Sequence, residues 1–227
     1  MDNKIFVRYV VRESVGILGM GAALFWSAGT LHWWQAWAVL LIMLVWSIAT
    51  AVVILRSDPS LLAERLGPRK GAKRWDTVIM SVLGLMQLAR YIVAGLDVRH
   101  GWSSPFSTAG QLVALVLCAL GYVLMVWATA SNRFFTQIVR IQKERGQIVV
   151  KDGPYRYVRH PGYLGAIVFE ALAWVVLGSW WSAIPSGLGA MLLLVRTALE
   201  DKALKAELEG YAAYTQEVRY RLLPGIW

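Results

Sequence analysis

Long apolar runs alternate with short polar links through most of the chain. Residues 14–31, 36–55, 77–96 and 108–130 are almost free of charge, Arg90 being the exception. About twenty apolar residues in a helix cover the ~30 Å hydrocarbon core of a bilayer. Two further runs, 163–181 and 182–199, follow the longest polar segment. Gly178, Ser179 and Pro185 sit near their junction, which predicts a helical hairpin. The pattern therefore predicts an all-α, polytopic integral membrane protein with about six transmembrane helices. Gly16, Gly19, Gly21, Ala22 and Ala23 give the first run a small-residue surface suited to close helix packing. Ahead of it, Lys4, Arg8 and Arg12 mark a short amphipathic lead-in, and His32-Trp33-Trp34-Gln35 reads as an interfacial turn into the second run. The first run lacks a small-residue cleavage site and is not read as a cleaved signal. No repeat or separate soluble unit is visible. Residues 1–227 form a single domain, a four-span scaffold over 1–130 followed by a part, 131–227, in which the polar motifs concentrate.

Composition agrees with a bilayer. The chain is 57% hydrophobic and 16% charged, with a mean hydropathy of +0.50, where soluble domains carry about 25% charged residues. Its net charge of +9 would suit nucleic acid, but the placement of that charge argues otherwise. Of the 23 lysines and arginines, all but Arg90, Arg99 and Arg196 fall on one set of alternate polar segments: the N-terminus, 56–74, 133–159 and the tail. That asymmetry is the positive-inside pattern, with both termini cytoplasmic. It implies contact with membrane lipids and an integral-membrane location, the inner membrane in a bacterium. One cysteine, Cys118, and three scattered histidines, His32, His100 and His160, leave no disulfide and no legible metal site.

The densest polar motif is Asp152-Gly153-Pro154-Tyr155-Arg156-Tyr157-Val158-Arg159-His160-Pro161-Gly162-Tyr163. Pro161 suits the first turn of a helix, with His160 at its cap and Tyr163 one turn above. Arg156, Arg159 and the free amides of that helix start predict a cationic cup for an anionic group; the plainer alternative is a basic loop touching headgroups. A second constellation, Arg196-Thr197-Ala198-Leu199-Glu200-Asp201, ends the last run. Folding of the hairpin brings residue 199 level with Tyr163, so the two motifs should meet. An acidic pair facing a basic cup suits a zwitterion; the alternative is a set of structural salt bridges.

Gly153-Pro154-Tyr155…Arg159-His160-Pro161-Gly162-Tyr163…Arg196-Thr197…Glu200-Asp201, followed by Tyr211…Tyr214…Val218…Arg221-Leu222-Leu223-Pro224, resembles the isoprenylcysteine carboxyl methyltransferase family and its phospholipid methyltransferase relatives. The resemblance runs from about residue 132 to the C-terminus. It implies a methyltransferase using S-adenosyl-L-methionine at the cytoplasmic membrane face, with the cofactor site built on the last hairpin. Gly153, Pro154, Tyr155, His160, Pro161, Tyr163, Glu200 and Asp201 would then hold the cofactor. Asp201 departs from the more usual second Glu of that pattern. Arg196, with Arg159, would serve the reaction, Arg196 holding an acceptor carboxylate. The acceptor would be a lipophilic small molecule or a lipid, with no obligate protein partner implied. A phospholipid N-methyltransferase, a small-thiol S-methyltransferase, a nicotinamide-dependent reductase of related fold and a non-catalytic subunit remain as alternatives.

Two charges lie at membrane depth. Glu170 is seven residues beyond Tyr163 and so about 10 Å deeper on the same helix face, and Arg90 interrupts the third run. Buried charges are paired or functional. These two either satisfy each other or line a tunnel for the acceptor.

Overall fold

A computed structural model of the protein describes residues 3–66 and 71–227; Arg69 and Lys70, which contribute to the charge asymmetry, lie outside the described residues. Every regular element among them is helical: α1 (Asn3–Ala28), α2 (Trp34–Ser57), α3 (Ser60–Leu66), α4 (Arg74–His100), α5 (Thr108–Ser131), α6 (Pro161–Leu177), α7 (Ala183–Glu207) and α8 (Tyr211–Glu217). Helices α2, α4, α5 and α7 are long and apolar enough to cross a membrane. The other two expected spans differ from them. The amphipathic lead-in is not separate but forms the first turns of α1, so Lys4, Arg8, Arg12 and Glu13 ride on the same helix as the apolar run. Helix α6 is apolar but only 17 residues long, about 26 Å at 1.5 Å per residue. Pro161 opens it and Gly178, with a left-handed φ of 72°, closes it.

Two predicted boundaries move outward. Asp97 and Arg99 belong to α4, not to the link after it, because the chain turns only at Gly101 (φ 64°). Helix α7 continues to Glu207 and absorbs the first part of the tail. Glu200 and Asp201 therefore sit on one rigid helix with Arg196.

The outer surface is apolar. Val45, Leu85, Val116, Leu120 and Met191 all face outward, as expected where the solvent is lipid. The interior is packed with small and aromatic residues, among them Ala36, Ala94, Cys118, Tyr122, Phe169 and Ala173. The closest approach joins α5 to α6. A Cβ on Gly121 would come within 2.7 Å of the Gly165 carbonyl oxygen, and one on Gly165 would meet the Gly121 carbonyl. Gly95 of α4 plays the same part against the Leu24 carbonyl and Ser27 of α1. Of the small residues expected to do this work in the first run, Gly16 and Gly19 face open space, whereas a Cβ on Gly21 would meet Leu40 at 3.4 Å and Ala23 packs against the core.

Polar cross-links gather at one end of the bundle. Arg12 donates to the Arg65 carbonyl (2.6 Å), Arg140 to Glu64 (2.5 Å), Arg145 to Asp58 (2.9 Å), and Lys73 to Glu207 (2.5 Å). At the other end Asp97 accepts from the Ser103 amide (2.7 Å) and from the Ser179 hydroxyl (2.5 Å), fastening the α4–α5 link to the bend of the α6–α7 hairpin. Between the ends lies one buried ion pair. Arg90 Nη1 meets Glu170 Oε2 at 2.6 Å, Gln87 donates to Glu170 (2.9 Å), and the guanidinium lies 5.2 Å from the Phe169 ring.

Candidate active site

The site is built where α6 starts and α7 nears its end. Val158 follows a single 3₁₀ turn, Gly153–Arg156, which Gly153 opens with a φ of 59°. A Cβ there would collide with Ser131 at the end of α5, so the turn lies against that helix. From this turn Tyr155 projects into the interior; burial raises its phenol pKa above the ordinary 10.0. The backbone then pairs with the C-terminal tail, the Arg159 and His160 amides donating to the Tyr220 and Arg221 carbonyls (3.0 and 2.9 Å). The tail is docked, as its sequence suggests.

Asp201 is the centre of this arrangement. Its side chain is 1% exposed and accepts from Arg159 Nε (2.8 Å), Arg159 Nη2 (3.2 Å), Arg221 Nε (3.0 Å) and the Tyr211 hydroxyl (3.0 Å), with His160 Nε2 at 3.4 Å. Arg159 Nη1 also donates to the Val218 and Arg219 carbonyls, each at 2.7 Å. Burial, and then the negative charge of Asp201, raise the Tyr211 pKa, so the phenol keeps its proton. The cationic cup expected from Arg156 and Arg159 is not formed. Arg156 is exposed and among the described residues reaches only Asp152 (3.4 Å), while Arg159 is neutralised, as a buried guanidinium must be.

The two predicted motifs do meet. Tyr163 donates to Glu200 across the hairpin, and the Arg196 guanidinium lies 5.2 Å from the Tyr163 ring centroid. Arg196 does not bridge to Glu200. It donates from Nε to Asp76 (2.7 Å) and from Nη2 to the Gln137 carbonyl (2.8 Å), and Asp76 in turn accepts from the Val139 amide (2.8 Å). Glu200 is left as a half-buried carboxylate held by a neutral phenol, and among the described residues no cation pairs with it.

These groups face a cleft between α7, α8 and the 132–150 segment. Tyr155, Arg159, His160, Tyr163, Arg196 and Glu200 line it, together with Phe134, Phe135, Tyr211 and Tyr214. The cleft has a volume of about 120 Å³. Gly153, Pro154, Pro161 and Asp201 stand behind the wall and position those that line it. Glu170 and Arg90 pair deeper in the bundle and reach no wall of this cleft. Asp76, Phe135 and Gln137 carry no motif by which sequence reasoning could find them. Tyr211 and Tyr214 stand in the tail pattern but gain their meaning only from Asp201 and from the Tyr155 carbonyl, to which Tyr214 donates at 2.6 Å.

The cleft coincides with a family signature. Residues 112–206, from α5 to the end of α7, match the model of the isoprenylcysteine carboxyl methyltransferase family. That segment carries the family's signature. A protein of Oryza sativa subsp. indica described as a probable protein-S-isoprenylcysteine O-methyltransferase is 26% identical over 140 residues, 58% of this chain and 70% of its own. Protein-S-isoprenylcysteine O-methyltransferase B of Arabidopsis thaliana is 31% identical over 87 residues, 38% of this chain and 41% of its own. The solved eukaryotic intramembrane Ras methyltransferase of the isoprenylcysteine carboxyl type shares the fold, with a TM-score of 0.51 and 16% identity over 96% of this chain and 86% of that one. The chain is thus similar to membrane methyltransferases over the matched segment, and the fold it shares with the solved structure extends over α1–α4, beyond that segment.

Proposed function

We propose that this protein transfers the methyl group of S-adenosyl-L-methionine to the carboxylate of a lipophilic, isoprenylcysteine-like acceptor at the cytoplasmic face of the membrane. The observation that carries the reading is Glu200: a carboxylate without a cationic partner among the described residues, fixed by Tyr163 at the wall of an aromatic cleft. Such a group suits a sulfonium or an ammonium, and Tyr155 in the same cleft adds a ring face that attracts cations. The residues present thus fit this cofactor. A nucleoside-sized molecule would extend into the mouth of the cleft, against residues 147–150.

When bound, the cofactor supplies an electrophilic methyl group on a positively charged sulfur. The protein's part is to bind, align and keep water out, because an in-line displacement gains most from positioning. Glu200 provides the countercharge, and the Tyr163 hydroxyl keeps it from swinging toward Arg196. Asp201, with Arg159, Tyr211 and Arg221, holds the cleft floor rigid and carries His160 and Tyr155 in fixed places. Asp76 and the Gln137 carbonyl orient Arg196 so that its remaining N–H edge can take an acceptor carboxylate. The basic residues at the site end of the bundle support a topology with that end, and both termini, in the cytoplasm.

Arg196 is also the reason to weigh a second reading. A guanidinium already paired with Asp76 leaves less net charge for a carboxylate, and repels an amine less, so a phospholipid amine acceptor is compatible with it. Labelled cofactor offered with a prenylated cysteine analogue and, separately, with phosphatidylethanolamine decides between them. Methyl ester formation on the cysteine analogue alone is expected. Methylation of the phospholipid alone would overturn the carboxylate acceptor, and absence of calorimetric binding of S-adenosyl-L-methionine would overturn the cofactor.

A further inference from the structure

A second cavity, larger than the cleft at about 470 Å³, lies between α1, α2, α3 and α4 at the same end of the bundle. Its walls divide by chemistry. Ile17, Met20, Met43, Trp46 and Met80 make one part apolar, and Arg12, Glu13, Glu64 and Arg65 make the other polar. The charges do not balance. Glu13 pairs with Arg12 (2.6 Å) and takes a hydrogen bond from Ser47 (3.1 Å). Glu64 pairs with Arg140 (2.5 Å). Arg65 is 9% exposed, and among the described residues no carboxylate pairs with it. It donates from Nη2 to Thr129 Oγ1 (3.3 Å) and to the Phe135 carbonyl (3.2 Å), while its buried Nε has no hydrogen-bond partner among the described residues. Burial first, and then the neighbouring charge of Arg12, pull its pKa down to about 10, still far above neutrality, so the charge persists. A buried cation with an unanswered donor is costly unless something answers it.

We infer that this cavity is a second binding site, one that takes an amphiphile with a single anionic group, the head on Arg65 and the tail along the methionine-lined wall. The net charge supports one anion, since each acid in the cavity already has its own arginine. Flexible thioether side chains suit a tail of irregular shape. Ile138 lines both this cavity and the cleft, and Arg65 bonds the backbone of Phe135, a cleft residue, so an occupant here would lie one wall away from the candidate active site. The inference rests on Arg65 and the cavity, not on the identity of the methyl acceptor. A free carboxylate and the headgroup of an anionic bilayer lipid share the required chemistry.

The full chain, purified in detergent, can be titrated with a long-chain fatty acid carrying a fluorophore at its tail, and with the methyl ester of the same molecule. The acid is expected to bind about tenfold or more tightly than the ester, as for a charge-assisted hydrogen bond. Arg65→Gln should bring the two to equal affinity while leaving the ester unchanged. Since Arg65 also ties α3 to α5, a second variant guards against loss of fold: Met20→Trp fills the apolar part and leaves Arg65 intact, and should weaken both ligands. Displacement of the acid by phosphatidylglycerol but not by phosphatidylcholine would assign the site to a bilayer lipid, and failure of both to displace it would assign it to a free carboxylate. Equal binding of acid and ester by the unaltered protein, or unchanged binding of both by the Met20→Trp variant, overturns the proposal.

Discussion

Glu200 and Asp201 are neighbours in sequence and opposites in environment. On a helix they point about 100° apart, and here one faces the cleft while the other is sealed beneath it. We expect them to separate experimentally. Glu200→Gln should keep thermal stability close to that of the unaltered protein and weaken S-adenosyl-L-methionine binding by about ten- to a hundredfold, the worth of a charge-assisted contact. Asp201→Asn should do the reverse first. Removing its charge leaves Arg159 and Arg221 without a buried counterion, which costs roughly 3–5 kcal/mol and should appear as a large fall in melting temperature. Equal melting temperatures for the two variants would remove the distinction drawn here. The same centre predicts an alkaline limit. Tyr155 and Tyr211 both hold their protons more tightly folded than unfolded, so their contribution is full below the ordinary pKa of 10.0 and shrinks as the pH rises past it. Tyr211→Phe should make the melting temperature less sensitive to pH above that value. The acidic pair was legible in the sequence; its division of labour was not, because it depends on Arg221 and Tyr211 folding back over α7.

At the scale of elements, the starts and stops of α6 were legible because proline and glycine act locally: Pro161 at its first turn and Gly178 at its end need no tertiary information. The depth match across the hairpin followed from length alone, and Tyr163 meets Glu200 as that geometry requires. The pairing of Arg90 with Glu170 was one of two readings open from depth, and the structure brings them together. Which glycines let helices approach was not legible, since a glycine facing lipid and one facing a partner look alike in sequence. The structure separates them sharply. Gly165→Ala would press a methyl group into the Gly121 carbonyl with backbone on both sides, and should cost about 1–3 kcal/mol or more. Gly16→Ala meets nothing and should be neutral or stabilising by up to about 1 kcal/mol, the helix-propensity difference. Thermal melts of both variants in the same detergent test this directly. A Gly16→Ala variant as damaged as Gly165→Ala would mean that α1 packs against something absent from this arrangement.

For the whole molecule, the sequence shows an asymmetry of charge and the structure shows an asymmetry of architecture, and the two coincide. The basic segments 56–74 and 133–159, as far as they are described, lie at the end where Arg12, Arg65, Arg140, Arg145 and Lys73 make their cross-links. The opposite end is held by the uncharged serines Ser103 and Ser179 around Asp97. The long-range pair between Asp76 and Arg196, 120 residues apart, could not be read from the chain, yet it explains why the end with the cleft is also the end with the charge. Buried acids on α4 and α7 must be answered by arginines, and the neighbouring segments 56–74 and 133–159 carry the cationic excess that the positive-inside rule expects in the cytoplasm. Orientation can therefore be tested at two exposed positions in a background with Cys118 replaced: Lys143, in the 3₁₀ turn at the site end, and Ser104, in the link at the other end. In intact cells a membrane-impermeant thiol reagent should label Ser104→Cys and leave Lys143→Cys untouched until the membrane is broken. Labelling of Lys143→Cys in intact cells would turn the molecule over, and with it the proposal that the cleft draws its cofactor from the cytoplasm.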